Sequence, residues 1–377
     1  MSPFPRHEER LNALAIRGRA RQLTPAAGKD FASNDYLGLA DGPILQAAIR
    51  DALARDVPIG ATGSRLLRGN HPEHLLLEQE AARFFGSESA LYMGGGFQAN
   101  QAVFSSLPMA GDLVLHDVLI HASAHEGMRL GRAEIRAFDH NDINHAETQI
   151  LAWRHGGGKG QVWIALETVY SMEGDFAPIS DFVALATHHD AVLILDEAHS
   201  TGLYGPAGRG LAPMKAPVPV IAVHTCGKAL GASGALICAN RVLTETLINR
   251  ARPFIFATAP SPLMAAAVRC ALRHLNHEPA VISGAAVLRS HAHQAAQSMG
   301  LTLPPSQILP VVLGEDKDTL NAARNLQNIG FDVRAIRPPT VPKGTARLRI
   351  SITGKVTPSD IDELFTEISK IKIGQLQ

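Results

Sequence analysis

The sequence predicts an α/β fold: a large unit with a mostly parallel sheet and helices on both faces, then a smaller α+β unit toward the C-terminal end. Three observations predict it. From about residue 89, six short apolar runs ("SALYM", "DLVLHD", "QVWIALE", "AVLILDE", "VPVIAVHT" and "GALICA") alternate with helical stretches. Strand–helix alternation is the signature of βαβ units, and runs that are apolar throughout suit strands covered on both faces. Past about residue 285 the order changes, with "SQILPVVLG" and "FDVRAI" flanking an amphipathic helix and "TARLRISIT" adding a strand.

Taken in order, residues 8–23 read as an Arg-rich helix with Arg17 and Arg21 one turn apart on the same face. "FASNDYLGLA" (31–40) reads as a strand or extended segment entering a turn, and "EHLLLEQEAARFF" (73–85) as a helix closed by Gly86. In "DTLNAARNLQNIG", Leu320, Ala323, Leu326 and Ile329 make one apolar stripe. The last helix opens with Thr357 as N-cap, Pro358 at the first position and Asp360 completing a box. The division expected is an N-terminal segment, 1–45, a large domain, 46–275, and a C-terminal α+β domain, 276–377, with the second boundary in the helical region 265–285.

Composition narrows the class. The chain has 377 residues with 35 basic and 35 acidic side chains, so it carries no net charge at pH 7. That argues against nucleic acid or an anionic membrane as partner. No apolar stretch approaches the ~18 residues of a membrane span, and the N-terminus lacks the apolar core of a signal peptide. Cys226, Cys238 and Cys270 have neither an even count nor paired spacing, and read as reduced thiols. There is no internal repeat. A cytoplasmic enzyme is expected.

"LILDEAHSTG" (193–202) drives a carboxylate to the end of a buried strand, where charge is costly unless a cation meets it. Other runs also end in polar residues: Asp117, Glu167 and Thr225, the last followed by "CGK" and Lys228. Parallel-sheet enzymes bind ligands beyond these carboxyl ends. The small residues of "GASGA" after Lys228 let a flat ligand or a second backbone come close. A lysine to bind an aldehyde, an aspartate to pair with a protonated pyridine nitrogen, and backbone N–H groups for a phosphate are the parts of a pyridoxal 5'-phosphate (PLP) site. "YMGGGFQANQAV" offers the third part, with three glycines between a strand and a helix.

The same glycines fit a loose dinucleotide fingerprint over Gly94–Ala99, with Asp112 or Asp117 downstream, so a nicotinamide-dependent dehydrogenase stays open. It leaves Asp196 and Lys228 without a role. A P-loop is excluded, because Lys228 is followed by Ala and lacks the upstream glycine. "HPEH" (71–74) and "HHD" (188–190) lack the spacing of known zinc motifs and read as accidental neighbours among the 17 histidines of the chain. His121 and His199 differ, each lying just past a strand end, where an imidazole can stack on a ring or bond its phenolic oxygen.

Together "FASNDYLGL", "GGGFQANQAV", "HAS", "ETVYSMEGDFAPI", "LDEAHSTG", "HTCGKALGASGA" and "RPPTVPKGTARLRI" resemble the α-oxoamine synthases of the PLP-dependent fold type I superfamily. The resemblance runs in order over roughly residues 10–370. It implies a PLP-dependent transferase in which Lys228 is the Schiff-base lysine, Asp196 the pyridinium partner and His121 the stacking ring. His199 and Ser171 would meet the phenolic side, and Gly96, Phe97 and Thr225 the phosphate end. Thr258 would reach the neighbouring subunit's phosphate in a homodimer with shared sites. Arg349 would hold the amino-acid carboxylate, while Asn34, Thr340 and Arg21 would bind substrate, with Arg17 or Arg19 as alternatives to Arg21.

The branch most resembled condenses L-alanine with a pimeloyl thioester, on coenzyme A or an acyl carrier protein, in biotin biosynthesis. It releases CO2 and free thiol. Sister enzymes would use glycine or serine with another acyl thioester, and an aminotransferase would release a keto acid. No metal is expected.

Overall fold

The computed structural model describes residues 3–371. Among them twelve strands form: β1 (Lys29–Asp30), β2 (Ser89–Met93), β3 (Leu113–Asp117), β4 (Glu134–Phe138), β5 (Val162–Glu167), β6 (Val192–Asp196), β7 (Val220–Thr225), β8 (Ala235–Ala239), β9 (Ile308–Gly314), β10 (Phe331–Asp332), β11 (Arg334–Ile336) and β12 (Ala346–Ser351). The chain divides into a larger unit, residues 37–171 with 175–285, and a smaller one, residues up to 36 with 172–174 and those from 286 onward. The boundaries drawn from sequence at 45/46 and 275/276 fall inside the helices Pro43–Ala54 and Pro262–His277. The observed division at 285/286 likewise falls within a helix, Pro279–Ser298, at the edge of the expected 265–285 region. The N-terminal segment is not separate either, since β1 pairs in parallel with β10.

All six predicted apolar runs are strands of one seven-stranded sheet in the larger unit, ordered β2-β8-β7-β6-β5-β3-β4. Only β8 runs against the rest. The unpredicted member is β4, an edge strand whose Glu134, Ile135 and Ala137 are exposed. Charged side chains on an edge strand discourage pairing with another chain, and they also hide the strand from an apolar-run search.

Strand β6 shows how the sheet aims its side chains. Side chains alternate between faces, so Val192 and Ile194 enter one core with the helices Gly96–Ser106 and Ala122–Leu130, and Leu193 and Leu195 enter the other. Asp196, at the same parity as Ile194, therefore turns toward Gly96–Ser106 and Ala122–Leu130. These two helices lie unusually close, because a Cβ at Gly127 would meet Asn100 O and Phe104 Cβ at 2.9 Å.

The helix Pro72–Phe85 ends at Gly86, whose φ of 76° is the left-handed cap that the sequence predicts. Its Glu73 is buried, and burial alone would raise its pKa. Hydrogen bonds from Arg55 and Arg269 outweigh that and hold it below the ordinary glutamate range. Among the described residues no helix is long and apolar enough to cross a membrane.

In the smaller unit β9, β12 and β11 form an antiparallel sheet in the order β11-β12-β9. "FDVRAI" is two short strands rather than one, broken at Val333, because β10 pairs with β1 and β11 with β12. The N-terminal helix spans Pro5–Ile16 and not 8–23: Pro5 starts it and Gly18, at φ 65°, lies past its end. Arg17 and Arg21 therefore do not share a helical face. Residues 31–40 fold into turns, led by Asp30, whose Oδ1 accepts from the N–H groups of Ala32 and Ser33. The buried stripe of the helix Asp316–Asn328 is Thr319, Ala322, Ala323 and Leu326, whereas Ile329 is 55% exposed beyond its end. The box of Thr357 and Asp360 forms as expected.

Candidate active site

In the larger unit the sheet register sets Glu167 beside Asp196, and Asp196 beside Val223, so Thr225 lies two residues further along. The carboxyl ends of β5, β6 and β7 thus carry the polar residues singled out from the sequence. Asp196 is 7% exposed. Its Oδ1 accepts from the N–H of Ala198 at 2.9 Å and its Oδ2 from Asn100 Nδ2 at 2.7 Å.

Asn100 also donates to Ser123 Oγ at 2.9 Å, and Ser123 Oγ lies 2.7 Å from His121 Nδ1. Because Nδ1 also accepts the Ser123 N–H at 3.3 Å, the neutral ring carries its proton on Nε2. His121 caps the helix Ala122–Leu130. Although His121 as a residue is exposed, desolvation by surrounding protein and the charge of Lys228 hold its pKa below the ordinary value, against the pull of Asp196. This relay from Asp196 to His121 was missed in the sequence. Asn100 could have been found, since it lies one turn after Gly96 and so on the same helical face.

Lys228 follows β7 on a tight turn, closed by Gly231 N–H to Lys228 O at 2.9 Å. Gly231 sits at φ 64°, and a Cβ there would meet Ala40 N at 2.7 Å, so the turn needs glycine. The Lys228 amine lies 2.7 Å from Nε2 of the buried His199. A cation and an imidazole at this distance can share a proton.

The helix Gly96–Ser106 starts at Gly95 with no side chain capping it, which leaves its first N–H groups for an anion. Gly96 abuts Thr225: a Cβ there would stand 2.5 Å from Thr225 Cγ2. Phe97, beside it, is 52% exposed. Ser171 is buried, its N–H donating to Glu167 Oε2 at 3.0 Å. Thr258 is exposed, next to Ala259, whose N–H bonds Gly63 O.

Two carboxylates at the strand ends have structural duties. Asp117 accepts from Leu119 and Asn141 N–H groups and from His140, which also reaches Asp175 at 2.8 Å. Burial would lower the His140 pKa, but the two carboxylates push it up to about 10. Glu197, wholly buried, holds Ser200 Oγ and the Leu211 N–H, and burial with Asp196 beside it pushes its pKa up to about 7.

The donor set fits PLP. A buried carboxylate, an amine on a glycine turn and an uncapped helix start match the pyridine nitrogen, the aldehyde and the phosphate.

In the smaller unit Arg349 lies on β12 with its side chain buried. Its guanidinium donates to Ser351 Oγ at 2.8 Å and to Asn34 Oδ1 at 3.1 Å. Tyr36 OH also donates to Asn34 Oδ1. Arg347, two residues earlier, is committed elsewhere, to Met172 O and Glu173 at 3.1 Å. Arg19 pairs with Asp316 at 2.9 Å, whereas Arg21 is exposed. Burial lowers the Arg337 pKa, and the charges of Arg21, Arg324 and Arg19 add to this. Thr340 is exposed, its N–H bonding Arg337 O.

The parallel sheet, with lysine and aspartate at its carboxyl ends, defines a PLP enzyme of fold type I. The chain belongs to the aminotransferase class I and II family, whose model matches residues 28–368. It is similar to proteins named 8-amino-7-oxononanoate synthase. That of Methylobacterium nodulans is 39% identical, covering 97% of this chain and 96% of the relative. That of Maricaulis maris is 37% identical, covering 96% and 93%. Among solved structures, a serine palmitoyltransferase from S. paucimobilis with a bound PLP–myriocin aldimine has a TM-score of 0.86 at 28% identity, covering 97% of this chain and 96% of that one. The 8-amino-7-oxononanoate synthase of Francisella tularensis has a TM-score of 0.74 at 26% identity, covering 91% and 97%.

Proposed function

We propose that this chain condenses L-alanine with a pimeloyl thioester, using PLP, to give 8-amino-7-oxononanoate, CO2 and free thiol in biotin biosynthesis. The reading is carried by near-full-length similarity to synthases of that name, and the Lys228–His199 pair facing the carboxyl end of the sheet supports it.

Bound PLP supplies the sink for charge that develops at Cα as the proton, and later CO2, departs. The chain's own residues do the rest. Lys228 anchors the cofactor, and its amine then takes the Cα proton, which His199 helps to hold. Asp196 keeps a negative charge against the pyridine nitrogen, steadied by Asn100 and the Ala198 N–H. His121 stacks on the ring, and the Ser123 relay fixes its orientation. Ser171 meets the phenolic side, while Gly96, Phe97 and Thr225 hold the phosphate. Asn34 and Ser351 set the plane of Arg349, which grips the amino-acid carboxylate; Thr340 and Arg21 meet the acyl group.

A cytoplasmic homodimer is part of the same reading. The N-terminal helix buries none of its residues, and Leu11, Leu14 and Ile16 lie open on it. Exposed Thr258 would reach the partner's phosphate. The thioester is carried by coenzyme A or an acyl carrier protein.

A second reading has structural support: a sister synthase using L-serine and a long-chain acyl thioester, given the higher TM-score to serine palmitoyltransferase. A panel of L-alanine, L-serine and glycine against pimeloyl and palmitoyl thioesters, followed by thiol release, separates the two. Thiol release is expected to be fastest with L-alanine and pimeloyl thioester. Fastest release with L-serine and palmitoyl thioester would replace the first reading by the second.

Arg349→Lys keeps charge but loses the planar fork that binds a carboxylate through two parallel hydrogen bonds. Apparent L-alanine affinity is expected to weaken by about one to two orders of magnitude. Arg347→Lys is expected to change it little, because Arg347 serves Glu173. Titration with L-alanine, followed by the cofactor's absorption, measures both. A large loss at Arg347 with none at Arg349 would reverse the assignment.

A further inference from the structure

We propose that Glu147, His188 and His189 form a binding site for a divalent transition metal of the zinc class. "HHD" alone lacks a metal motif's spacing, but the fold adds a third ligand from a different helix. Glu147 lies on Ile143–His155, and the two histidines end the helix Ile179–His188. One ligand atom from each of the three lies within 4.8 Å of the others. His189 Nε2 already stands 3.2 Å from Glu147 Oε1. Zinc bonds of ~2.0–2.2 Å in a tetrahedral shell place neighbouring ligand atoms about 3.3–3.6 Å apart, so only small side-chain adjustments are needed.

Adjacent helical residues normally point about 100° apart. Here His189 caps the helix at φ −107° and ψ 13°, and the two rings close to 4.7 Å between centroids at 83°. Two imidazoles and one carboxylate suit zinc, copper or nickel, whereas magnesium and calcium prefer oxygen alone. The remaining positions go to water.

His189 lies three residues before β6 begins, and Asp196 closes that strand, so about 13 Å of strand separates the two ends. The bound ion therefore pins two helices over the Leu193 face of the sheet and takes no part in catalysis. A site of this kind stabilises the folded chain without changing turnover.

The test is calorimetric titration of the untagged holoenzyme, freed of excess PLP, with zinc chloride. One ion per chain and a raised melting midpoint are expected, with thiol release unchanged. Glu147→Gln and His188→Asn, both at solvent-accessible positions, are each expected to weaken binding about ten-fold or more. Cobalt(II) in place of zinc reports the geometry through the intensity of its visible bands. Absence of stoichiometric binding, or binding untouched by both substitutions, would overturn the proposal.

Discussion

Replacing Lys228 by alanine is expected to drop thiol release from L-alanine and pimeloyl thioester below about a hundredth of the wild-type rate, since general-base catalysis alone contributes about 10²–10⁴-fold. In the proposed function the amine has two duties, as covalent anchor and as the group that takes the Cα proton, and alanine can do neither. The fold should survive. The turn around residue 228 is held by backbone bonds, Gly231 N–H to Lys228 O and Ala232 N–H to Cys226 O, both at 2.9 Å. A methyl side chain breaks neither. Cofactor should still be retained through Asp196 and the helix start at Gly96, but borohydride should no longer fix it to the chain. Thiol release, a melting curve and mass after borohydride treatment test each part. A variant keeping more than a hundredth of the rate would remove Lys228 from its role.

What could be read in the sequence was whatever burial makes one-dimensional. A strand covered on both faces must be apolar throughout, so β5, β6 and β7 and the residues at their ends, Glu167, Asp196 and Thr225, stood out. The turn chemistry of Gly86 and the box at Thr357 are equally local. Edge strand β4 was not legible, because Glu134 and Arg136 answer to solvent rather than to a core. Nor was the support of Asp196. Asn100 is 96 residues away and meets it because the helix Gly96–Ser106 packs on the face of the sheet toward which Asp196 turns. Arg347 and Arg349 looked equivalent on alternate positions of one strand. Their partners, Glu173 and Asn34, lie 174 and 315 residues away and separate their duties.

The support of Asp196 decides what Asp196→Asn will do. The carboxylate receives two N–H donors, from Ala198 and Asn100, one on each oxygen. An asparagine has a single acceptor oxygen, so its own N–H₂ must face one of those donors. If it faces Asn100, that side chain can turn over and offer Oδ1, a buried atom that otherwise has no hydrogen-bond partner. Turning over withdraws the donor from Ser123, and with it the relay that orients His121. If the amide faces Ala198 instead, a buried backbone N–H is left unmet. Either arrangement costs about 1–3 kcal/mol, the price of one unsatisfied buried group. The chemical cost is larger, because an amide carries no charge to keep the pyridine nitrogen protonated. Removing one preorganised electrostatic partner slows turnover by about 10²–10³-fold. The loss should fall on the rate and spare apparent L-alanine binding, which the proposed function assigns to Arg349. Exchange of the L-alanine α-proton in heavy water, measured without thioester, isolates this step. Exchange at the wild-type rate would show that the charge at the end of β6 serves the fold and not the reaction.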